Sequence, residues 1–255
     1  MSATRVNTVK ARLRAGKSTV GVAVTMPSVA LVQILAGAGF DWLFIDMEHG
    51  PIGLPDVHAM IAATGGTNAV PLVRVPWTVP WLVKPVLDAG AMGIVFPMVR
   101  TAEDAGRAVS SMRYPPQGER GWGPFYAPYR WGISTAEYTR RAAEELLTVV
   151  LIEHPEAIRN AATIAAVPGV DVAMLAPYDL SVNMGLNGPT DPAMGQAIGA
   201  AEDAVLASPA SLGGPALSAE QGNAMLERGY RFLGVGYDAL LIERAAADIL
   251  GGLKL

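Results

Sequence analysis

Short runs of consecutive apolar residues recur along this chain, separated by segments with helical spacing. Thr19–Val24 is the first run, followed by Trp42–Ile45, Val70–Val73 and Gly93–Phe96. After a longer interval come Val149–Ile152 and Val172–Leu175, and Phe232–Val235 closes the series. Apolar residues at successive rather than alternate positions mark strands buried on both faces, as in a parallel sheet beneath helices.

The intervening segments carry helix punctuation. Ser28 is placed to cap a helix that runs to Ala38 and stops at Gly39, and Val79–Ala89 stops in the same way at Gly90. Thr101 is placed to cap Ala102–Met112, while Pro155–Ala166, Asp191–Leu206 and Ser218–Arg228 read as further helices. A βαβα order predicts a parallel sheet with right-handed crossovers. The eighth strand is expected within Ser208–Leu217, a stretch with Gly and Pro but no strong β run. Eight such units make a closed (β/α)₈ TIM barrel, which takes roughly 250 residues. The chain has 255, so residues 1–255 read as one barrel domain. An open doubly wound sheet is the competing architecture, but its G-x-G-x-x-G loop after the first strand is absent. Tyr114–Arg141, polar and aromatic, is expected to be a long loop, and Ala239–Leu255 a helix followed by an apolar tail.

Composition narrows the function classes. Hydrophobic residues make up 51% and charged residues 16%, which argues against disorder and hints that other subunits cover part of the surface. The net charge is −4 and no basic run exceeds Arg140–Arg141, so neither nucleic acid nor an anionic membrane is an expected partner. Without cysteine, disulfides and thiol catalysis are excluded, and a metal site must use His, Asp, Glu or main-chain oxygen. The basic residues of Met1–Lys17 flank no apolar core, and no apolar stretch of roughly twenty residues appears. A cytoplasmic protein is therefore expected.

In β/α barrels the site forms where strands end. Strand 2 ends in Asp46, Met47, Glu48 and His49, and strand 3 in Arg74. Strand 5 ends in Glu153, and strand 6 is followed by Tyr178 and Asp179. Glu153 and Asp179, one β/α unit apart, can share a hard divalent cation or can each cap the following helix. His49 can take up a proton near neutral pH, with Asp46 and Glu48 orienting it, or can satisfy loop backbone. His58 and His154 read as structural. Arg74 suits a two-pronged grip on a carboxylate and stabilisation of an oxyanion, or a salt bridge closing the barrel mouth. Arg120, Trp122, Tyr126 and Tyr129 either wall the pocket or pack an oligomer interface.

The segments FDWLFIDMEHGP (Phe40–Pro51), VPLVRVPW (Val70–Trp77) and GAMGIVFPMVRTAEDA (Gly90–Ala105) resemble the HpcH/HpaI aldolase family. So do YPPQGERGWG (Tyr114–Gly123), LIEHPEAIRN (Leu151–Asn160) and APYDLSVNMG (Ala176–Gly185), in the family's order, over about Gly21 to Ile242. These are the class II pyruvate aldolases, among them 4-hydroxy-2-oxoheptanedioate and 2-dehydro-3-deoxygalactarate aldolases.

The resemblance implies a barrel of the phosphoenolpyruvate/pyruvate type whose last helix packs on a neighbouring subunit, usually in a hexamer. It implies Mg²⁺, Mn²⁺ or Co²⁺ held by Glu153 and Asp179, with pyruvate chelating that metal and an aldehyde as second substrate. Arg74 then stabilises the pyruvate enolate, and His49 is the base, assisted by Asp46 and by Asp88 from a neighbouring subunit. Ala176, Pro177, Tyr178, Trp122 and Leu217 complete the expected substrate wall. Two positions depart from the family pattern: Leu151 stands where Gln is frequent, and Tyr178 where a small residue is frequent. Both place the aldehyde specificity in question. Competing readings are an acyl-CoA lyase of the citrate-lyase type, an oxaloacetate decarboxylase and a non-catalytic carboxylate-binding barrel.

Overall fold

The computed structural model describes residues 5–253. Eight parallel strands close into a barrel in sequence order: β1 (Thr19–Val24), β2 (Trp42–Asp46), β3 (Val70–Arg74), β4 (Gly93–Phe96), β5 (Leu147–Ile152), β6 (Val172–Leu175), β7 (Ser211–Pro215) and β8 (Phe232–Tyr237). The helices are α1 (Thr8–Arg14), α2 (Val29–Gly37), α3 (Leu54–Ala63), α4 (Pro80–Asp88), α5 (Ala102–Met112), α6 (Ala127–Trp131) and α7 (Thr135–Glu145). They continue as α8 (Pro155–Arg159), α9 (Ala161–Ala165), α10 (Pro177–Asn183), α11 (Pro192–Leu206), α12 (Ala219–Glu227) and α13 (Asp238–Gly251). The expected (β/α)₈ barrel is present. None of the described helices is long and apolar enough to cross a membrane.

The strands are buried because helices cover their outer faces and side chains fill the inside; β2, β4, β5 and β6 have no exposed position. Inside, the Trp42 and Phe232 rings stack 4.1 Å apart, nearly parallel. Gly21 makes this possible, since a Cβ there would lie 2.0 Å from Trp42 Cδ2. The barrel seam between β8 and β1 is tied by buried Asp238, which accepts bonds from the Thr25 N–H and hydroxyl and the Met26 N–H.

The end holding the strand N-termini is sealed by α1. Its cap residue Asn7 donates to the Met92 and Glu145 carbonyls, and Lys10 Nζ reaches the Leu146 carbonyl and Asp171 Oδ2 at 2.9 Å. These acceptors all precede β4, β5 or β6. The buried lysine is thus tied to the strand starts, and in β/α barrels the site forms at the opposite mouth, where the strands end.

One weakly marked element forms where the sequence places it, and others differ. The eighth strand forms inside the expected interval as Ser211–Pro215, held by backbone pairing to β6 and β8 rather than by β-forming side chains. The single helix expected over Pro155–Ala166 is two, broken at Asn160, whose side chain donates to the Arg100 carbonyl. The expected loop Tyr114–Arg141 contains α6 and most of α7. The α7 helix buries only Tyr138 and Ala142, too sparse a stripe to stand out as helical spacing.

Candidate active site

Alternate residues of a strand face the same side, and this rule assembles the cavity at the barrel mouth. Trp42 and Phe44 of β2, Arg74 of β3, Leu151 of β5, Met174 and Ala176 at β6, and Gly234 and Gly236 of β8 line a cavity of about 510 Å³. Pro177, Tyr178, Asp179, Leu217 and Leu240 form its outer rim. Arg74 lies over the Phe44 ring, 5.1 Å from its centre.

Asp46 and Arg74 are the charged heart of this mouth. Arg74 Nε donates to Asp46 Oδ1 at 2.8 Å and Nη2 donates to Oδ2 at 2.6 Å. Asp46 is 2% exposed. Burial pushes its carboxyl up, but the Arg74 bonds and charge, with the Glu48 and His49 N–H groups, outweigh this and hold it low. Arg74 stays charged despite burial because Asp46 and Glu48 face it. Glu48 Oε2 lies 3.2 Å from Arg74 Nε, outside hydrogen-bonding geometry, and has no hydrogen-bond partner although buried.

Glu153, 3% exposed, accepts from the Met98 N–H at 2.5 Å. Burial pushes its carboxyl up to about 7; the Met98 bond and Arg74 oppose this, and the charges of Asp179 and Glu48 add to it. Glu48 is likewise raised to about 7 by burial, against Arg74, with Asp46 and Asp179 adding. Helix capping does not account for the acidic pair. His154 caps α8, accepting from the Glu156 N–H, and Ala176, not Asp179, occupies the N-cap position of α10.

The donor set fits a hard divalent cation. Buried carboxylates raise one another's proton affinity across the mouth, and one buried carboxylate oxygen has no hydrogen-bond partner. Among the described residues no group of three or more His, Asp or Glu side chains gathers tightly enough to form a closed cage. Mg²⁺ is commonly held by one or two carboxylates with water and substrate oxygens, a requirement that a pair such as Glu153 and Asp179 fits without a closed cage.

The expected site residues divide into those that meet here and those that do not. Arg74, Asp179, Ala176, Pro177, Tyr178 and Leu217 line the cavity; Asp46 is bonded to Arg74, and Glu153 feels the charges of Asp179, Glu48 and Arg74, but neither carboxylate lines the cavity itself. His49 follows the end of β2 but does not line the cavity; its side chain is 63% exposed, with Nε2 4.0 Å from Glu48 Oε2. Asp88 and Trp122 lie elsewhere, in an outer groove between α4 and the Gly121–Tyr126 segment. There Asp88 pairs with fully buried Arg120 at 2.6 Å, and Arg120 also donates to Tyr138. Within one chain, neither Asp88 nor Trp122 reaches the cavity. His58 contacts Arg130 and the Tyr126 ring, a structural setting. Sequence reasoning missed Phe44, Trp42 and Met174 as wall residues; their two-residue spacing from Asp46 and Ala176 was the available signal. It also treated Glu48 only as a partner of His49, whereas its carboxylate faces Arg74.

Residues 21–245 match the model of the HpcH/HpaI aldolase/citrate lyase family. A 4-hydroxy-2-oxo-heptane-1,7-dioate aldolase from Escherichia coli is 37% identical over 242 residues, covering 94% of this chain and 92% of that protein. A namesake from Klebsiella pneumoniae is 38% identical over 245 residues, covering 94% and 91%. The crystal structure of a family member from Burkholderia cenocepacia superimposes with a TM-score of 0.90 at 32% identity, covering 96% of this chain and 98% of that one.

Proposed function

This chain belongs to the HpcH/HpaI aldolase/citrate lyase family and is a carbon–carbon lyase of the aldolase type; we propose that it joins pyruvate to an aldehyde, and cleaves the resulting 4-hydroxy-2-oxo acid, with a divalent metal held by Glu153 and Asp179. The observation that carries this reading is the pairing of carboxylates at adjacent strand ends with a single committed arginine at the same mouth. Mg²⁺, Mn²⁺ or Co²⁺, when bound, supplies Lewis-acid polarisation of the substrate keto group.

The residues of the chain do the rest. Asp46 fixes the Arg74 guanidinium in one plane, so its charge is in place before the reaction begins. That charge offsets the negative charge that develops on the pyruvate oxygen as a methyl proton leaves. His49 takes the proton, with Glu48 orienting the ring. The methyl carbon then bonds to the aldehyde carbon, the carbonyl pair moves onto oxygen, and the proton is returned there. Cleavage is the reverse. Apolar walls exclude water from the developing charge.

Asp88 lies in the outer groove, so its assistance to His49 comes from a neighbouring copy. A homo-oligomer, a hexamer by family likeness, is supported by exposed Ile242, Ile249 and Leu250 on α13 and by Trp122 and Phe125 beside the groove. The working compartment is taken as the cytoplasm. Pyruvate release from a 4-hydroxy-2-oxo acid tests the reading. EDTA should abolish it, added Mg²⁺, Mn²⁺ or Co²⁺ should restore it, and borohydride with pyruvate should leave it intact. Release that persists in EDTA, or inactivation by borohydride, contradicts it.

A further inference from the structure

A second cavity of about 440 Å³ lies beside the first, between β7 and helices α11 and α12. Leu175, Pro177, Tyr178, Pro215 and Leu217 belong to both walls. Tyr178, half exposed, and Leu217 stand on the rim that the two share. A chain that leaves the reacting centre along this wall meets apolar surface in both spaces.

Positive charge along this route is scarce and already paired. Among the described residues lining the two cavities, the cations are Arg74 and Arg228. Arg74 is held by Asp46 on two prongs and faces Glu48. Arg228 is paired with Glu202, lies over the Tyr230 ring, and shares Glu202 with the Tyr230 hydroxyl at 2.6 Å. Arg244 on α13 turns toward the Leu217 carbonyl and lines neither cavity. At the position where a glutamine would offer an amide, Leu151 offers only methyl groups. A carboxylate on the acceptor, such as the C7 end of the heptane-1,7-dioate in the relatives' names, meets no unpaired cation among the described residues that line the two cavities. An alkyl chain meets mostly apolar wall, interrupted in the second cavity by Thr190, Gln221 and the paired Arg228.

We propose that the acceptor is an uncharged aldehyde with an apolar chain, its tail passing Tyr178 and Leu217 from the first cavity into the second. This rests on the pyruvate aldolase reading given above. The chemistry is redox-neutral: one bond forms between the pyruvate methyl carbon and the aldehyde carbon, and the proton lost from the methyl ends on the new hydroxyl.

The test uses the wild-type enzyme loaded with Mn²⁺, at saturating pyruvate, with pentanal and 4-oxobutanoate as acceptors of similar length. The expected kcat/KM is at least about tenfold higher for pentanal, and octanal is expected to match or exceed pentanal. Equal or better use of 4-oxobutanoate overturns the proposal. A Leu217→Arg variant places a cation on the shared wall and is expected to move the ratio at least about tenfold toward the acid; a folded variant with an unmoved ratio also overturns it. Deuterium exchange into the pyruvate methyl group, run without acceptor, separates the two levels. Exchange without a pentanal preference removes only the acceptor assignment, whereas absence of exchange with any metal removes the underlying reading and the proposal with it.

Discussion

Asp46 and Arg74 are register partners on the neighbouring strands β2 and β3, and the guanidinium of one lies flat against the carboxylate of the other through two bonds of 2.8 and 2.6 Å. Both groups are largely buried, so removing either leaves an uncompensated charge. Asp46→Ala is expected to lower stability by about 3 kcal/mol, read by urea unfolding. Arg74→Lys keeps the charge but loses the fork; it is expected to slow turnover at least about a hundredfold with a smaller loss of stability. A lysine variant with near-normal turnover would show that the planar grip is unnecessary.

The carboxyls of Glu48 and Glu153, raised to about 7 from 4.5, give a pH dependence of definite sign. Between those values the folded, metal-free protein binds protons that the unfolded chain has already lost. Its stability therefore falls as pH rises from 4.5 through 7. A cation held by Glu153 needs its ionised form, so affinity rises over the same window and a proton is released on binding. Mn²⁺ is expected to raise Tm by several degrees at roughly pH 8 and by much less at roughly pH 5.5. Equal gains at both, measured against EDTA controls, would place the metal away from Glu153.

Asp104 works in the opposite direction. It accepts from the Arg100 and Thr101 N–H groups and the Thr101 hydroxyl in the capping box of α5, which hold its carboxyl low against a burial contribution that raises it. A lowered carboxyl contributes stability above its unfolded value that is lost as pH falls through the folded one. Asp104→Ala is expected to cost about 1 kcal/mol at neutral pH, with the difference from wild type shrinking below roughly pH 3. Chemical unfolding at the two pH values measures this.

Gly21 is required by its neighbour rather than by its own backbone. A methyl group there meets the Trp42 ring at 2.0 Å and the Trp42 carbonyl at 2.4 Å, and neither can retreat far inside a closed barrel. Gly21→Ala is expected to destabilise by about 3 kcal/mol and to change the tryptophan near-UV dichroism as the Trp42–Phe232 stack shifts. Unchanged dichroism and stability would mean that the barrel interior yields more than its packing implies.

The strands were legible wherever apolar side chains on both faces had to be covered, as in Trp42–Asp46 and Leu147–Ile152. Strand β7 was nearly invisible because its Gly213–Gly214 pair leaves backbone hydrogen bonds as its main support, and those leave no mark on residue type. The α7 helix stayed hidden for a related reason: its exposed faces are polar all round, and two buried residues do not define a stripe. At the site, residues at strand ends were readable because charge is rare in this chain. Glu48 lies beside His49 as the sequence suggests, but its approach to Arg74 was hidden, because the alternation that aims Trp42, Phe44 and Asp46 stops where the strand stops and a loop residue takes its direction from its surroundings. Asp88 was drawn from the family likeness and Trp122 from the aromatic loop, and their distance from the cavity within one chain is a property of tertiary packing around Arg120 that spacing does not encode.

The most direct test of the central claim is exchange of the pyruvate methyl protons in D₂O, followed by NMR without any aldehyde present. The account predicts exchange that EDTA abolishes, that Mg²⁺, Mn²⁺ or Co²⁺ restores, and that Glu153→Gln and Arg74→Lys each reduce at least about a hundredfold. Exchange that proceeds unchanged in EDTA, or none with any of the three metals, would contradict it.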